Sequence, residues 1–145
     1  LPGAAGLKHE EDRAARAAAL EGFGQDVAWS LTSTYGSRAA IVAERIATDA
    51  SAGERIDPEL PLLYAQVDEA IEHELAATLD DVLSRRVPLL LRGRDQGLAA
   101  AEAVARRMAE RLGWDEARTA RELEGYRAVV ARSRRFRTNG AEAAT

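Results

Sequence analysis

Apolar residues recur along this chain mostly at spacings of three and four, the period of one helix face. Lys8 to Leu20 opens with charge and continues rich in alanine, which predicts a helix that Gly22 and Gly24 break. Asp26 to Tyr35 predicts a second helix, with Val27, Leu31 and Thr34 on one face and Trp29 to the side. Gly36 punctuates, and Ser37 is the expected N-cap of a third helix to about Ala50, striped by Ile41, Val42 and Ile46. Residues 51–61 read as a loop in which Asp57-Pro58 caps a turn and Pro61 delays the next helix. From Leu62 to Leu75 the residues Leu63, Val67, Ala70, Ile71 and Leu75 fall on one face. Thr78-Leu79-Asp80-Asp81 has the spacing of a capping box, a hydroxyl followed three residues later by a carboxylate, and opens a short helix to about Arg86. Pro88 ends or kinks it. Gly93 and Gly97 bound a turn, and Leu98 to Leu112 carries Ala101, Val104, Ala105, Met108 and Leu112 at helical spacing. Gly113 stops that helix, Asp115 caps the last one, and Leu123, Tyr126 and Val130 form its stripe. No stretch alternates long enough for a strand. The expected fold is all-α, a compact bundle of six or seven helices in a single domain over residues 1–137. Residues 1–7 form an opening loop and 138–145 a disordered tail.

Composition supports this. Of the 145 residues 31 are alanine, and Leu, Glu and Arg follow, all strong helix formers. Cysteine is absent, which excludes disulfides, thiolate catalysis and Cys-ligated metal sites. No apolar run approaches the ~20 residues that span a bilayer. Leu1 is not an initiator methionine and no signal-peptide core follows it, so the chain looks excised from a longer one. The net charge of −4 is uneven: residues 1–100 carry −7 and residues 101–137 carry +4. The acidic majority disfavours nucleic acid as a partner.

Few residues offer chemistry. His9 lies beside Glu10 and Glu11 near the start and reads as solvated. His73, between Glu72 and Glu74, has the makings of a general base oriented by a carboxylate. Glu69 and His73 share a helix face, but the zinc-protease spacing fails at Ala77 and the di-iron spacing fails at Ala70, so no metal is expected. The preferred reading is that His73 and its neighbouring carboxylates pair with Arg85 and Arg86. No Gly-x-Ser-x-Gly elbow, dinucleotide fingerprint or P-loop is present. The two C-terminal helices superficially suggest a helix-turn-helix, with Arg132, Arg134, Arg135 and Arg137 near phosphates; a solvated helix end is the preferred reading, ahead of contact with an anionic membrane.

One resemblance goes further. Tyr35-Gly36-Ser37-Arg38-Ala39, Leu60-Pro61, Val67 through His73-Glu74, and Thr78 through Asp80-Asp81 to Arg85-Arg86 resemble the C-terminal helical domain of FAD-dependent glycerol-3-phosphate dehydrogenases. Ala109 to Trp114 and Glu124-Gly125-Tyr126 are similar to its end, and Leu1-Pro2-Gly3 to its start. Glu72, Gln66 and Pro88 depart from the family pattern. The resemblance covers roughly residues 1–130. It implies a non-catalytic cap whose parent oxidises glycerol 3-phosphate to dihydroxyacetone phosphate and passes electrons through FAD to quinone, or to oxygen in the related oxidases. It places the flavin and catalytic groups outside this chain, makes the catalytic parts of the same polypeptide the partner, and allows a homodimer. It implies a cytoplasmic parent, peripheral on the inner membrane. Glu69, His73, Glu74, Asp80, Asp81, Arg85 and Arg86 are the candidates for structural or interdomain roles. Asp81 and Arg85 are expected to pair, and Arg86 to reach Glu69, Glu74 or the catalytic body.

Overall fold

The computed structural model describes residues 20–143. The opening loop, the Lys8 helix and His9 lie outside the described residues. Six α-helices are present among those described: α1 (Gln25–Tyr35), α2 (Ala39–Thr48), α3 (Tyr64–Glu72), α4 (Leu89–Arg92), α5 (Leu98–Leu112) and α6 (Glu116–Ala143). The only strand-like pairing among them is an isolated bridge between Arg55 and Leu63. The all-α expectation holds. The chain divides into two compact units, Leu1–Ala65 and Gln66–Thr145, where the sequence pattern suggests one domain.

In the first unit, Gly22 turns the chain with φ at +96° and Gly24 precedes α1. Val27 and Leu31 bury as the spacing predicts, and Thr34 stays exposed. Gly36, at φ +55°, opens a 3₁₀ turn through Arg38 rather than leaving Ser37 to cap α2. The residue before α2 is Arg38, and no side chain caps that end. The short turn consumes the position a serine cap would hold. Val42 buries fully, while Ile41 is on the open side of its stripe. Asp49 caps a second 3₁₀ turn through the Ser51 N–H, 3.0 Å. Asp57 turns the next loop, accepting from Glu59 N–H at 2.8 Å. Leu20, Val27, Leu31, Ala39, Val42, Ala52 and Leu63 form the core, with Phe23, Tyr35 and Ile46 against it. Arg55 bridges to Asp26 at 2.8 Å, and that guanidinium lowers the Asp26 pKa.

The second unit takes up α3 from Gln66. This helix ends at Glu72, three residues before the expected end. Leu75 is therefore not a stripe member: it sits at φ +58° with 84% of its surface exposed. That left-handed residue lets the Ala76 N–H return to the Ala70 carbonyl at 2.9 Å and close the helix end. Thr78 then starts a turn whose residues Asp81–Arg86 are π-helical, with the Val87 N–H bonded to the Val82 carbonyl at 2.7 Å. Pro88 closes it and precedes the single turn of α4.

The Gly93–Gly97 turn places Gln96 and Gly97 at φ +60° and +79°. A Cβ on Gly97 would stand 2.9 Å from the Leu89 Cβ and 3.2 Å from the Tyr126 hydroxyl, so glycine is required for space as well as for backbone. Asp95 supplies the cap that glycine cannot, accepting from Ala99 N–H at 2.6 Å. Ala101, Val104, Ala105 and Met108 bury on α5, and Gly113 stops it at φ +70°. Asp115 caps α6 through the Arg118 N–H at 2.7 Å. Helix α6 packs against α5, burying Tyr126 and Val130, and continues to Ala143. The helix thus runs six residues past Arg137, through most of the segment expected to be a disordered tail.

Candidate functional site

Six consecutive residues of α3, Ala65 to Ala70, are buried, and three of them are polar: Gln66, Asp68 and Glu69. A carboxylate survives burial only with charged or hydrogen-bonding partners. Asp68, 1% exposed, receives two arginines from α5. Arg107 clamps it with both arms, Nε to Oδ1 and Nη2 to Oδ2, each at 2.7 Å. Arg111, one helical turn further on, places its Nε 2.7 Å from Oδ1 and reaches Glu72 with Nη1 at 3.2 Å. The i,i+4 pair Asp68/Glu72 on α3 thus meets the i,i+4 pair Arg107/Arg111 on α5. Bidentate geometry of this kind fixes direction as well as distance. It locks the rotation of one helix against the other.

Glu69 is fully buried and holds His73 Nδ1 at 3.1 Å. The other candidates form separate pairs. Arg86 Nε lies 3.6 Å from Glu74, and Arg85 lies 3.8 Å from Asp81. His73 is paired with Glu69 rather than with Arg85 or Arg86, because α3 continues through Glu69 and puts the two on one face. Arg86 does choose Glu74, but remains half-exposed, so this pair contributes only a few tenths of a kcal/mol. Ser84 donates to Asp80 one turn before it.

The capping box forms reciprocally. Thr78 Oγ1 accepts from Asp81 N–H at 3.0 Å, and Asp81 Oδ2 accepts from Thr78 N–H at 3.2 Å. Glu122 of α6 adds a second carboxylate, accepting from Leu79 N–H at 2.9 Å and from Arg118 Nε at 2.8 Å. The Arg118 guanidinium lies 5.3 Å from the Trp114 ring centre. The hydrogen bond from Thr78 is the main cause that holds the Asp81 pKa below the usual carboxylate value. A depressed folded-state pKa gives stability that is complete above the ordinary value of about 4 and drains as pH falls through the folded value. Thr78→Val is expected to cost about 1 kcal/mol in urea unfolding at neutral pH. Asp81→Asn should lose less of its stability than the unaltered chain between neutral pH and the acid limb. Identical acid limbs would contradict the assignment.

The Tyr126 hydroxyl donates to the Gln96 carbonyl at 2.6 Å. The Gln96 side chain is held at both ends, by Ser133 Oγ at 3.1 Å and Arg134 Nε at 2.8 Å. Arg134 is thus tied to the Gln96 side chain although it is exposed, as are Arg132, Arg135 and Arg137. Among the described residues no group of three or more His, Asp and Glu side chains is arranged to hold a metal. No described helix is long and apolar enough to cross a membrane. Among the described residues no strand and glycine-rich turn stand against a helix N-terminus, the arrangement of a dinucleotide fingerprint.

Residues 1–119 match the family described as the C-terminal domain of alpha-glycerophosphate oxidase. The chain belongs to that family. Its similarity extends to a glycerol-3-phosphate dehydrogenase of Synechocystis, 30% identical over 92 residues, 63% of this chain and 17% of the relative. A probable mitochondrial glycerol-3-phosphate dehydrogenase of Caenorhabditis elegans is 34% identical over 113 residues, 75% of this chain and 16% of the relative. The mitochondrial glycerol-3-phosphate dehydrogenase of Bos taurus is 31% identical over 110 residues, 73% of this chain and 15% of the relative. The chain thus spans about a sixth of the length of these curated relatives. No solved structure matches it. The Asp68, Arg107 and Arg111 cluster lies wholly inside the matched stretch, and α6 from residue 120 onward lies beyond it.

The sequence pattern missed this cluster. An Asp inside an acidic helix reads as solvated, and its partners lie 39 residues away or more. The one available signal was the matched spacing, acids at 68 and 72 and arginines at 107 and 111, each pair flanking an apolar stripe.

Proposed function

We propose that this chain is the helical C-terminal part of an FAD-dependent glycerol-3-phosphate dehydrogenase and supplies structure rather than reacting groups. The observation that carries this reading is the use made of its chemistry-bearing side chains. Asp68, Glu69, His73, Asp81 and Glu122 are each engaged by a partner within the helical fold. The relatives' names supply dehydrogenation of glycerol 3-phosphate as the reaction proposed for the full polypeptide, and the resemblance implies dihydroxyacetone phosphate as its product. FAD, when bound by parts of the polypeptide outside this chain, would supply the two-electron chemistry, with quinone as the proposed acceptor. This chain's own task is then to dock onto those parts. An oxygen acceptor is the second reading, favoured by the family's description as an oxidase domain.

Expression of the full polypeptide and of this chain alone tests the proposal. The full polypeptide is expected to carry flavin absorbance and to reduce a quinone analogue when given glycerol 3-phosphate. This chain alone should do neither. Flavin purifying with the chain alone, or a full polypeptide inert toward glycerol 3-phosphate, would overturn it. Oxygen consumption in place of quinone reduction selects the second reading.

A further inference from the structure

We infer that Leu75 is an anchor by which this chain docks onto the flavin-bearing part of the same polypeptide, with residues 73–77 as the contacting loop. The inference rests on the reading that the chain is one part of a longer flavin enzyme.

Among the described non-glycine residues, two have positive φ, Leu75 and Gln96. A bulky side chain is disfavoured in that region, and glycine or asparagine is the usual choice where a helix closes this way. At Gln96 the strain has an internal return: the residue is buried and its side chain is held by Ser133 and Arg134. At Leu75 the backbone closes α3 through the Ala76–Ala70 hydrogen bond, a task glycine would perform without strain, and the leucine side chain gains nothing from it. It is 84% exposed, the most exposed of the large hydrophobic residues described. The other strongly exposed ones, Trp29, Leu91 and Phe136, lie in ordinary helical backbone and carry no conformational cost. Leucine at residue 75 is thus unfavourable twice, once for backbone and once for exposed apolar surface. Residues held in strained backbone cluster at functional sites.

The surroundings fit an interface. His73 is half-exposed and Glu74 pairs with Arg86, which gives an apolar anchor charged neighbours. The loop lies inside the stretch that matches the family, whereas the basic end of α6 does not. Of the exposed apolar residues described inside that stretch, Leu75 alone combines exposure with left-handed backbone. The acidic face of α3 is already committed, Glu69 being buried and Glu72 tied to Arg111. The occupant follows from length: in each relative about five-sixths of the polypeptide lies outside the matched part and is covalently continuous with it.

The chain contains no cysteine, so Leu75→Cys introduces a single thiol into it. Alkylation of that thiol, followed by the mass of its peptide, is to be compared in this chain and in the full polypeptide. The expected result is rapid alkylation in the chain alone and at least about tenfold slower alkylation in the full polypeptide. Equal rates would overturn the proposal. Slow alkylation in the chain alone would also overturn it. Residues 1–19 cover Leu75 if their deletion restores the rate, and a second copy covers it if dilution does. Leu75→Gly gives an independent reading of opposite sign. It should raise the Tm of the chain by about 2–5 °C, by relieving strain, and lower that of the full polypeptide. A rise in both would overturn the anchor. Oxidation of glycerol 3-phosphate by the unaltered full polypeptide is measured alongside. If it is absent while the thiol is protected, the dehydrogenase reading fails and the docking surface stands.

Discussion

Asp68→Asn is expected to destabilise the chain by about 3–5 kcal/mol, because it removes the buried charge that both Arg107 and Arg111 contact and breaks the bidentate Arg107 pair. Arg111→Ala should cost far less. That side chain is more exposed and Glu72 shares it, so about 1 kcal/mol is lost. The double variant Asp68→Leu with Arg107→Met tests the origin of the loss. Replacing both charges with apolar groups of similar volume should recover most of the stability, since desolvation of the pair is removed with its attraction. Urea unfolding of the three variants decides the matter. A cost below 1 kcal/mol for Asp68→Asn would mean that the cluster is solvated and does not lock α3 to α5.

Tyr126→Ala is expected to cost about 3–5 kcal/mol, as large buried side chains do when truncated. Tyr126→Phe isolates the hydroxyl: it leaves the Gln96 carbonyl without its donor and should cost about 1–3 kcal/mol. The pH dependence has a definite sign. Burial, reinforced by the charges of Asp80 and Asp95, raises the phenol pKa well above its ordinary 10.0. The folded state therefore holds the proton more tightly than the unfolded one. Its contribution is complete below pH 10.0 and drains as pH rises beyond it. Unfolding measured on either side of that value should show an alkaline loss in the unaltered chain that Tyr126→Phe lacks. The same alkaline slope in both would place the titrating group elsewhere.

Local chemistry was legible in the sequence, and distant pairing was not. The Thr78/Asp81 box, the Gly113 stop and the Asp115 cap each involve partners within a few residues, so residue type and spacing suffice to predict them. The stripe of α5 was equally plain, because alanine, valine and methionine at helical spacing bury together whatever covers them. Ser37 misled because a 3₁₀ turn and a capped α-helix start alike in sequence and differ only in where the first hydrogen bonds close. Leu75 misled because periodicity continues through a helix end that the backbone has already left. The Arg107–Asp68 clamp and the Tyr126–Gln96 bond join residues 39 and 30 apart, and no local pattern specifies such partners. Of the seven candidate side chains, the structure gives each a contact but distributes them among separate pairs. The residue that organises them, Asp68, was not among them.

The π-turn at Asp81–Arg86 bears on how this part of the chain tolerates insertions and deletions. Such a turn holds one residue more than an α-helical turn of the same rise. Loss of one exposed residue, Arg85 for example, would let the segment relax to ordinary α-helical spacing without breaking the chain. The flanking residues would keep their phase, because the hydrogen bonds close one residue sooner while the chain on either side stays in place. Leu79, Val82 and Leu83 would remain buried on the side that Val87 and Leu89 occupy. A single-residue deletion inside the turn is therefore expected to be tolerated far better than one inside the regular helix α5, where nothing absorbs a shift of about 100°.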